Sequence, residues 1–281
     1  MSKIDLHVHS NFSDGKFSPS QIIDMAIEKN MPAIALTDHD NVEGNKEGIE
    51  YAKGKNIEFI AGIEITITPP ENCREVHMVG LFIDHNNAAI KEVQPRSKKH
   101  RGERIRKIIE KCNQLGYNVS FEDFLRESDG KHFGRPLLAE ILLRKYPEKF
   151  EDKQEVFKEL IGNRGKAFVR AKGIELPEAI KIIHEAGGIA ILAHPCYLNE
   201  DEKEVIAEFF KHGGDLLERN CPINPASIGS NWDYTDKVIK EKNLLVSGGT
   251  DFHQNEDLGS HGLSIEEFEK LKVYWKKKAK Y

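Results

Sequence analysis

The chain has 281 residues and 32.0 kDa, with 41 Lys and Arg against 46 Asp and Glu, for a net charge of −5. That length can bury a sizeable core in one large domain or two small ones, and no charge-free stretch approaches the ~20 apolar residues of a membrane span. The start, Met-Ser-Lys-Ile-Asp-Leu-His, has no apolar signal region, and Cys73, Cys112, Cys196 and Cys221 lie far apart, so the expectation is a cytoplasmic protein with buried, reduced thiols.

Residues 3–8 alternate, with Ile4, Leu6 and Val8 on one side, which predicts a strand. Ser18-Pro19 opens a helix through about Asn30, because Ser caps well and Pro fits a first turn. A short strand at 33–36, a helix over 44–55 and a strand over 57–67 follow; Pro69-Pro70 ends it, and 76–83 reads as strand again. From about 94 to 170 the rhythm changes to four charged helices, near 97–115, 121–128, 135–145 and 152–161. Alternation then resumes with helices at 176–186, 201–211 and 233–242 and strands at 189–193, 215–218 and 244–248. Strands alternating with helices predict mostly parallel pairing. The expected fold class is α/β, a closed or nearly closed β/α barrel over 1–95 and 171–281, with an inserted helical subdomain over 96–170.

Six of the 12 histidines fall at the ends of these strands: His7, His9, His39, His77, His194 and His253. His7 and His9 are two apart, so they project to the same side of an extended segment, and Asp251 with His253 repeats the spacing. Glu64 lies in the third strand and Asp14 in the loop after His9. In a β/α barrel the strand C-termini share one face, where catalytic groups collect. Six imidazoles and three carboxylates exceed what one ion needs, and suit two or three divalent cations bridged by Glu64. The absence of thiolate partners favours Zn, Mn or Fe in a catalytic site over a structural zinc. Asp38 and Asp40 flank His39, where a supporting or proton-moving role competes with simple solvation.

Asp5-Leu-His7-Val-His9, Thr37-Asp38-His39-Asp40, Gly62-Ile63-Glu64, Ala193-His194-Pro195 and Gly249-Thr250-Asp251-Phe252-His253 resemble, in order and spacing, the PHP (polymerase and histidinol phosphatase) phosphoesterases, over about 1–90 and 180–260. The resemblance implies a distorted (β/α)7 barrel with a trinuclear site. It assigns one ion to His7, His9, Glu64 and Asp251, a second to Asp14, His39 and His253, and a third to Glu64, His77 and His194. It also implies that a metal-bound hydroxide attacks phosphorus in line, with Asp14, Asp38 and His39 as the catalytic candidates. His132-Phe133-Gly134-Arg135-Pro136 resembles the His-x-x-Arg-Pro segment of the branch acting on nucleoside phosphates and short oligonucleotides. By that resemblance Arg135 clamps phosphate and His132 assists. His261, shortly after the last donor motif, is a further substrate contact.

The expected activity is therefore removal of phosphate from a nucleotide, of AMP or 3′,5′-bisphosphate type, or trimming of short RNA. The expected partner is that small phosphorylated substrate, with no membrane and no protein partner implied. The alternatives are histidinol-phosphate phosphatase and a non-catalytic metal-binding PHP module. The run 96–111 carries eight Lys and Arg against two Glu, and reads either as a solvated helix face or as a surface drawing in anionic substrate. The Lys-rich end, Lys276 to Lys280, is expected to be a solvated tail.

Overall fold

A computed structural model of the protein describes residues 3–70, 75–128, 134–162, 165–198, 201–222 and 232–278. Ser18 accepts from Gln21 N, and the Gln21 side chain answers the Ser18 backbone, so a capping box starts α1 (Pro19–Glu28), which buries Ile22, Ile23 and Ala26. β1 (Ala33–Leu36), α2 (Glu43–Ala52), β2 (Glu58–Ile67) and β3 (Val76–Leu81) follow. The helical stretch comprises α3 (Ala88–Lys91), α4 (Val93–Gln114), α5 (Phe121–Glu127), α6 (Arg135–Lys145) and α7 (Lys153–Val156), the last continued by a π-helical turn over Phe157–Ile161. Then come α8 (Leu176–Glu185), β4 (Ile189–Leu192), α9 (Glu202–Lys211), β5 (Leu216–Glu218), α10 (Asp233–Lys242), β6 (Val246–Ser247) and α11 (Ile265–Lys278).

The six strands form one curled, mixed sheet in sequence order. Three of the pairings are parallel, in line with the expectation of mostly parallel pairing, but β3 runs antiparallel to both β2 and β4. The cause is the length of the connection: only residues 68–75 separate β2 from β3, and a parallel crossover needs about a dozen residues or more. Reversal has a consequence for the site, because it brings the start of β3, where His77 lies, to the end of the sheet where β1 and β2 finish.

Residues 3–8 make isolated bridges, which corrects the expectation of a regular strand. Asp5 and Val8 carbonyls accept from Ala35 and Thr37, while Leu6 N and His9 N donate to Gly248 and Phe252 carbonyls at 3.1 and 2.9 Å. This stretch therefore shares its bonds between β1 and the segment beyond β6, with too few on either side for a continuous ladder.

By contact the chain divides into two compact units, Met1–Gln94 with Ile174–Tyr281, and Pro95–Gly173. Each has its own apolar core: Ile65, Met78, Ile183, Leu192 and Phe209 in the first, Ile108, Phe124, Leu138, Leu142 and Leu160 in the second. In the second, α4 buries Ile105, Ile108, Ile109 and Cys112, the three-to-four spacing that one helix face requires. Cys112, Cys196 and Cys221 are free and buried, and Cys73 lies outside the described residues. Among the described residues no helix is long and apolar enough to cross a membrane.

The C-terminal segment corrects the expectation of a solvated tail in part: Lys276 and Lys277 are exposed as expected, but they belong to a helix and Lys278 is anchored, while Lys280 lies outside the described residues. α11 continues through Lys278 with Phe268 and Leu271 buried. Lys278 Nζ donates to Asp215, which also accepts from His184 Nε2 at 2.7 Å, Ala190 N at 2.8 Å and the Tyr274 hydroxyl at 3.0 Å. A tail cannot be distinguished from a helix by lysines alone; the pair Phe268 and Leu271, three apart, carries the apolar face.

Candidate metal centre

The candidate donors come from the N-terminal bridging stretch, from β2 and from the ends of the other strands or the loops beyond them. His7 and His9 come from the bridging N-terminal stretch, Asp14 from the loop after it, His39 from beyond β1, and Glu64 from within β2. His77 comes from the start of β3, His194 from beyond β4, and Asp251 and His253 from beyond β6. Gly249 makes the last approach feasible, because a Cβ there would stand 2.4 Å from His7 N.

Glu64 is the centre of the arrangement. Its Oε2 lies 3.3 Å from His7 Nε2, 3.3 Å from His9 Nε2 and 2.9 Å from His39 Nδ1. Its Oε1 lies 3.1 Å from both His77 Nδ1 and His194 Nε2. Asp251 Oδ1 faces His9 Nε2 at 3.0 Å and His7 Nε2 at 3.5 Å. Asp14 faces His253 at 3.3 Å, His39 at 3.7 Å and His9 at 3.9 Å.

Three groups of donor atoms result, each with its atoms within 4.8 Å of one another: His7, His9, Glu64 and Asp251; His9, Asp14, His39 and His253; and His39, Glu64 and His77. The third has His39 where the resemblance implied His194, whose ring instead touches Glu64 from outside the group. Buried polar atoms normally find hydrogen-bond partners, and an exception calls for a cause. Here His7 Nε2, both nitrogens of His9, His39 Nδ1 and Glu64 Oε2 are buried without one. Lone pairs converging on shared points, with neutral imidazole and carboxylate as the chemical types, fit divalent cations.

The electrostatics agree. Burial pulls the His9 imidazole down, but the Asp251 and Glu64 carboxylates beside it outweigh that and raise it to about 10. His77 rises to about 9, burial again opposing and the Glu64 charge prevailing. Burial favours a neutral Glu64, yet the His39, His7 and His77 charges hold it well below the usual carboxylate range. The cluster thus places negative charge at its centre, where cations would sit.

The PHP domain profile matches residues 5–186. A 5′-3′ exoribonuclease of Haemophilus influenzae is 34% identical over 261 residues, covering 89% of this chain and 90% of that protein. The chain belongs to the PHP family of metal-dependent phosphoesterases. A 3′,5′-nucleoside bisphosphate phosphatase of Chromobacterium violaceum is 29% identical over 265 residues, covering 90% of this chain and 88% of that one. Among solved structures, an amidohydrolase from Chromobacterium violaceum, with bound sulfate and no metal, has a TM-score of 0.77 at 27% identity, covering 97% and 96% of the two chains. A Bifidobacterium adolescentis protein shares the fold, with a TM-score of 0.77 at 23% identity over 96% and 95% of the chains.

Several residues of this PHP site escaped the sequence reading. Glu218, at the end of β5, takes His7 Nδ1 on one oxygen at 3.0 Å and the His194 backbone N–H on the other at 2.7 Å. The second bond holds His194 at φ 30, in the left-handed region that non-glycine residues avoid; Asp251, at φ 54, is held the same way round. Asp5 accepts from Thr250 N at 2.9 Å, Thr250 Oγ1 at 2.6 Å and Gly259 N at 3.1 Å, tying the segment of Asp251 to that of His7. Asp5 stood inside the Asp5-Leu-His7-Val-His9 motif without a role assigned to it, whereas for Glu218 the one signal was an isolated carboxylate beside a strand's apolar residues.

Of the other candidates, Asp38 is buried beneath the His9 loop, each oxygen engaged by Ser10 or Ser13 at 2.7 Å, outside the three donor groups. Asp40 accepts from Thr66 N and Oγ1 at 2.7 and 2.9 Å, pinning the His39 turn to β2. His261 Nδ1 lies 3.1 Å from Ser260 Oγ, also outside the groups. Arg135 opens α6 in the second unit, its guanidinium 5.8 Å from the centre of the Phe157 ring. His132 lies outside the described residues.

Proposed function

We propose that this chain hydrolyses phosphate esters of nucleotides, namely nucleoside monophosphates, 3′,5′-bisphosphates or the 5′ end of short RNA. The observation that carries the reading is Glu64, one buried carboxylate facing five imidazoles, with an oxygen and four imidazole nitrogens around it left without hydrogen bonds. The exoribonuclease and bisphosphate phosphatase relatives supply the substrate class, and the sulfate bound by the 27% identical structure is a tetrahedral oxyanion of phosphate shape.

We assign the donors as two or three divalent cation sites for Zn, Mn or Fe: His7, His9, Glu64 and Asp251; Asp14, His39 and His253; Glu64, His77 and His194. Bound there, such ions polarise phosphoryl oxygens and lower the pKa of coordinated water. The protein contributes orientation and charge. Glu64 bridges, Glu218 fixes His7 and His194, and Asp38 holds the loop that carries Asp14. The Asp14 side chain, 52% exposed, is suited to accept the proton of the attacking water through the oxygen that does not face the cation and to hand it to solvent, while His39 would hold the cation beside it. Arg135, His132 and His261 are the proposed phosphate contacts. The stretch 3–9, bridged on both sides without a regular ladder, takes the seventh position of a distorted barrel, and Pro95–Gly173 is its inserted helical subdomain.

The test combines elemental analysis with a phosphatase screen on AMP, adenosine 3′,5′-bisphosphate, 5′-phosphorylated short RNA and histidinol phosphate. Two to three ions per chain and turnover of a nucleotide substrate are expected, abolished in folded His7→Ala and Asp251→Ala variants. Less than one ion per chain, turnover confined to histidinol phosphate, or retained activity in both variants overturns the reading.

A further inference from the structure

Two of the buried cysteines face each other just beyond the ends of β4 and β5. These strands pair in parallel, Ile191 opposite Leu216 and Leu192 opposite Leu217, an offset of 25 positions. The chain keeps that offset past the strands. The Tyr197 hydroxyl donates to the Pro222 carbonyl at 2.9 Å, and one residue earlier on each side stand Cys196 and Cys221. The two thiols are in hydrogen-bonding contact, and both are free and buried. Cys112 shows the ordinary use of a buried thiol, as filler in the apolar cluster of the second unit. Cys196 and Cys221 belong to none of the apolar clusters among the described residues.

Neighbouring chains in a sheet lie about 4.8 Å apart, inside the roughly 4.4–6.8 Å that separates the Cα atoms of disulfide-bonded residues. The place of the pair gives it leverage. His194, two residues before Cys196, is held at φ 30 by the bond from its N–H to Glu218, three residues before Cys221. Glu218 takes His7 Nδ1 on its other oxygen. Whatever draws these two segments together therefore acts on His194 and Glu218 at once.

We propose that Cys196 and Cys221 form a reversible disulfide site, closed by hydrogen peroxide, and that closure weakens cation binding by displacing His194. Cys221, the more exposed of the two, gives an electron pair to one peroxide oxygen; the O–O bond breaks, one water leaves and a sulfenic acid remains. The Cys196 sulfur then attacks that sulfur, the S–S bond forms and a second water carries off the hydroxyl. Two thiols and one peroxide become one disulfide and two waters. The bond draws the sulfurs to about 2 Å, much closer than a thiol contact, and pulls the Pro195–Tyr197 turn with it. The contact with Cys196 and burial push the Cys221 thiol up, so the pair is slow to oxidise and answers sustained rather than brief exposure. The effect on cations rests on the donor role proposed for His194; the cross-link itself does not.

The test treats reduced, metal-free, full-length protein with hydrogen peroxide for several hours, then unfolds it, alkylates the free thiols and maps tryptic peptides by mass spectrometry. Cleavage after Lys203 and Arg219 puts the two cysteines on separate peptides. A linked Cys196–Cys221 pair, lighter than its two peptides by two hydrogens, is expected, with Cys112 still alkylated and dithiothreitol separating the pair. Titration with Mn after the peroxide is removed should show an affinity about tenfold lower, the scale on which disturbed support of a ligand acts, and dithiothreitol should restore it. Cys221→Ala should bind Mn as the wild type does and be indifferent to peroxide. Both cysteines alkylated in treated wild type, a link to Cys112 instead, an unchanged Mn affinity in linked protein, or an equal loss in treated Cys221→Ala overturns the proposal. A linked pair in a protein that binds no Mn even when reduced would instead refute the proposed cation sites and leave the disulfide site standing.

Discussion

Glu218 shows how one side chain outside the donor groups controls two within them. A carboxylate only accepts, so His7 Nδ1 carries a ring proton, and Nε2 is the nitrogen left to offer its lone pair to a cation beside Glu64 and Asp251. Its other oxygen restrains His194 in a strained backbone conformation. Glu218→Gln preserves shape and the His194 bond, but its amide donates to Nδ1 and moves the ring proton to Nε2. Metal affinity should fall about 10- to 100-fold with little change in the thermal stability of the metal-free protein. Glu218→Ala should lose affinity and also about 1–3 kcal/mol of stability, since a buried imidazole and a backbone N–H lose their acceptor. Titration with Mn or Zn and thermal denaturation of both variants separate the effects; equal metal affinity in Gln and wild type would refute the tautomer argument.

At the scale of elements, α11 is held by one buried acid. Asp215 accepts from Lys278, Tyr274 and His184, which join α11 and α8 to the start of β5. Removing that acceptor strands these three donors and the Ala190 backbone N–H, so Asp215→Ala should cost about 3 kcal/mol. The faster amide exchange should be concentrated in α11. Uniform acceleration across the sheet would contradict this. α4 offers a pH test. Burial pushes the Cys112 thiol up to about 11, so at pH 8 only about one molecule in a thousand carries the thiolate. Alkylation by iodoacetamide in the native protein should therefore be slow at pH 8 and rise about tenfold per pH unit. The sign for stability follows: a pKa raised on folding favours the folded state below the ordinary thiol range, and that contribution is lost as pH climbs through about 11.

For the whole molecule, cations that bind only the folded chain add RT ln(1 + [L]/Kd), about 4 kcal/mol at a thousandfold excess over Kd. Chelation should accordingly lower the melting temperature by several degrees, restored by adding back Mn or Zn, and a calorimetric scan in EDTA checks it. How much of this was legible in the sequence depended on the range of each interaction. The candidate donors could be read because His7 with His9, and Asp251 with His253, carry their geometry in a two-residue spacing that any extended segment imposes. Glu218 was not legible, since its partner His7 is 211 positions away and nothing near it in Leu-Leu-Glu-Arg signals a role. The direction of β3 was missed because alternating strands and helices suggest crossovers, whereas the shortness of 68–75 decides against one. α11 was hidden by its lysines, and Asp38 next to a donor histidine was indistinguishable from a residue with business at phosphorus, although its oxygens are taken by two serines.

The bond between Asp5 and Thr250 joins positions 245 apart, and the donors His7 and Asp251 flank it. During synthesis the first half of the centre emerges from the ribosome long before its complement exists. A nascent or prematurely terminated chain has only part of the proposed ligand set, and on the proposed reading it cannot yet hydrolyse phosphate esters. Hydrolytic competence is thereby reserved for finished copies, a safeguard that follows from the order of residues along the polypeptide and requires no separate inhibitor.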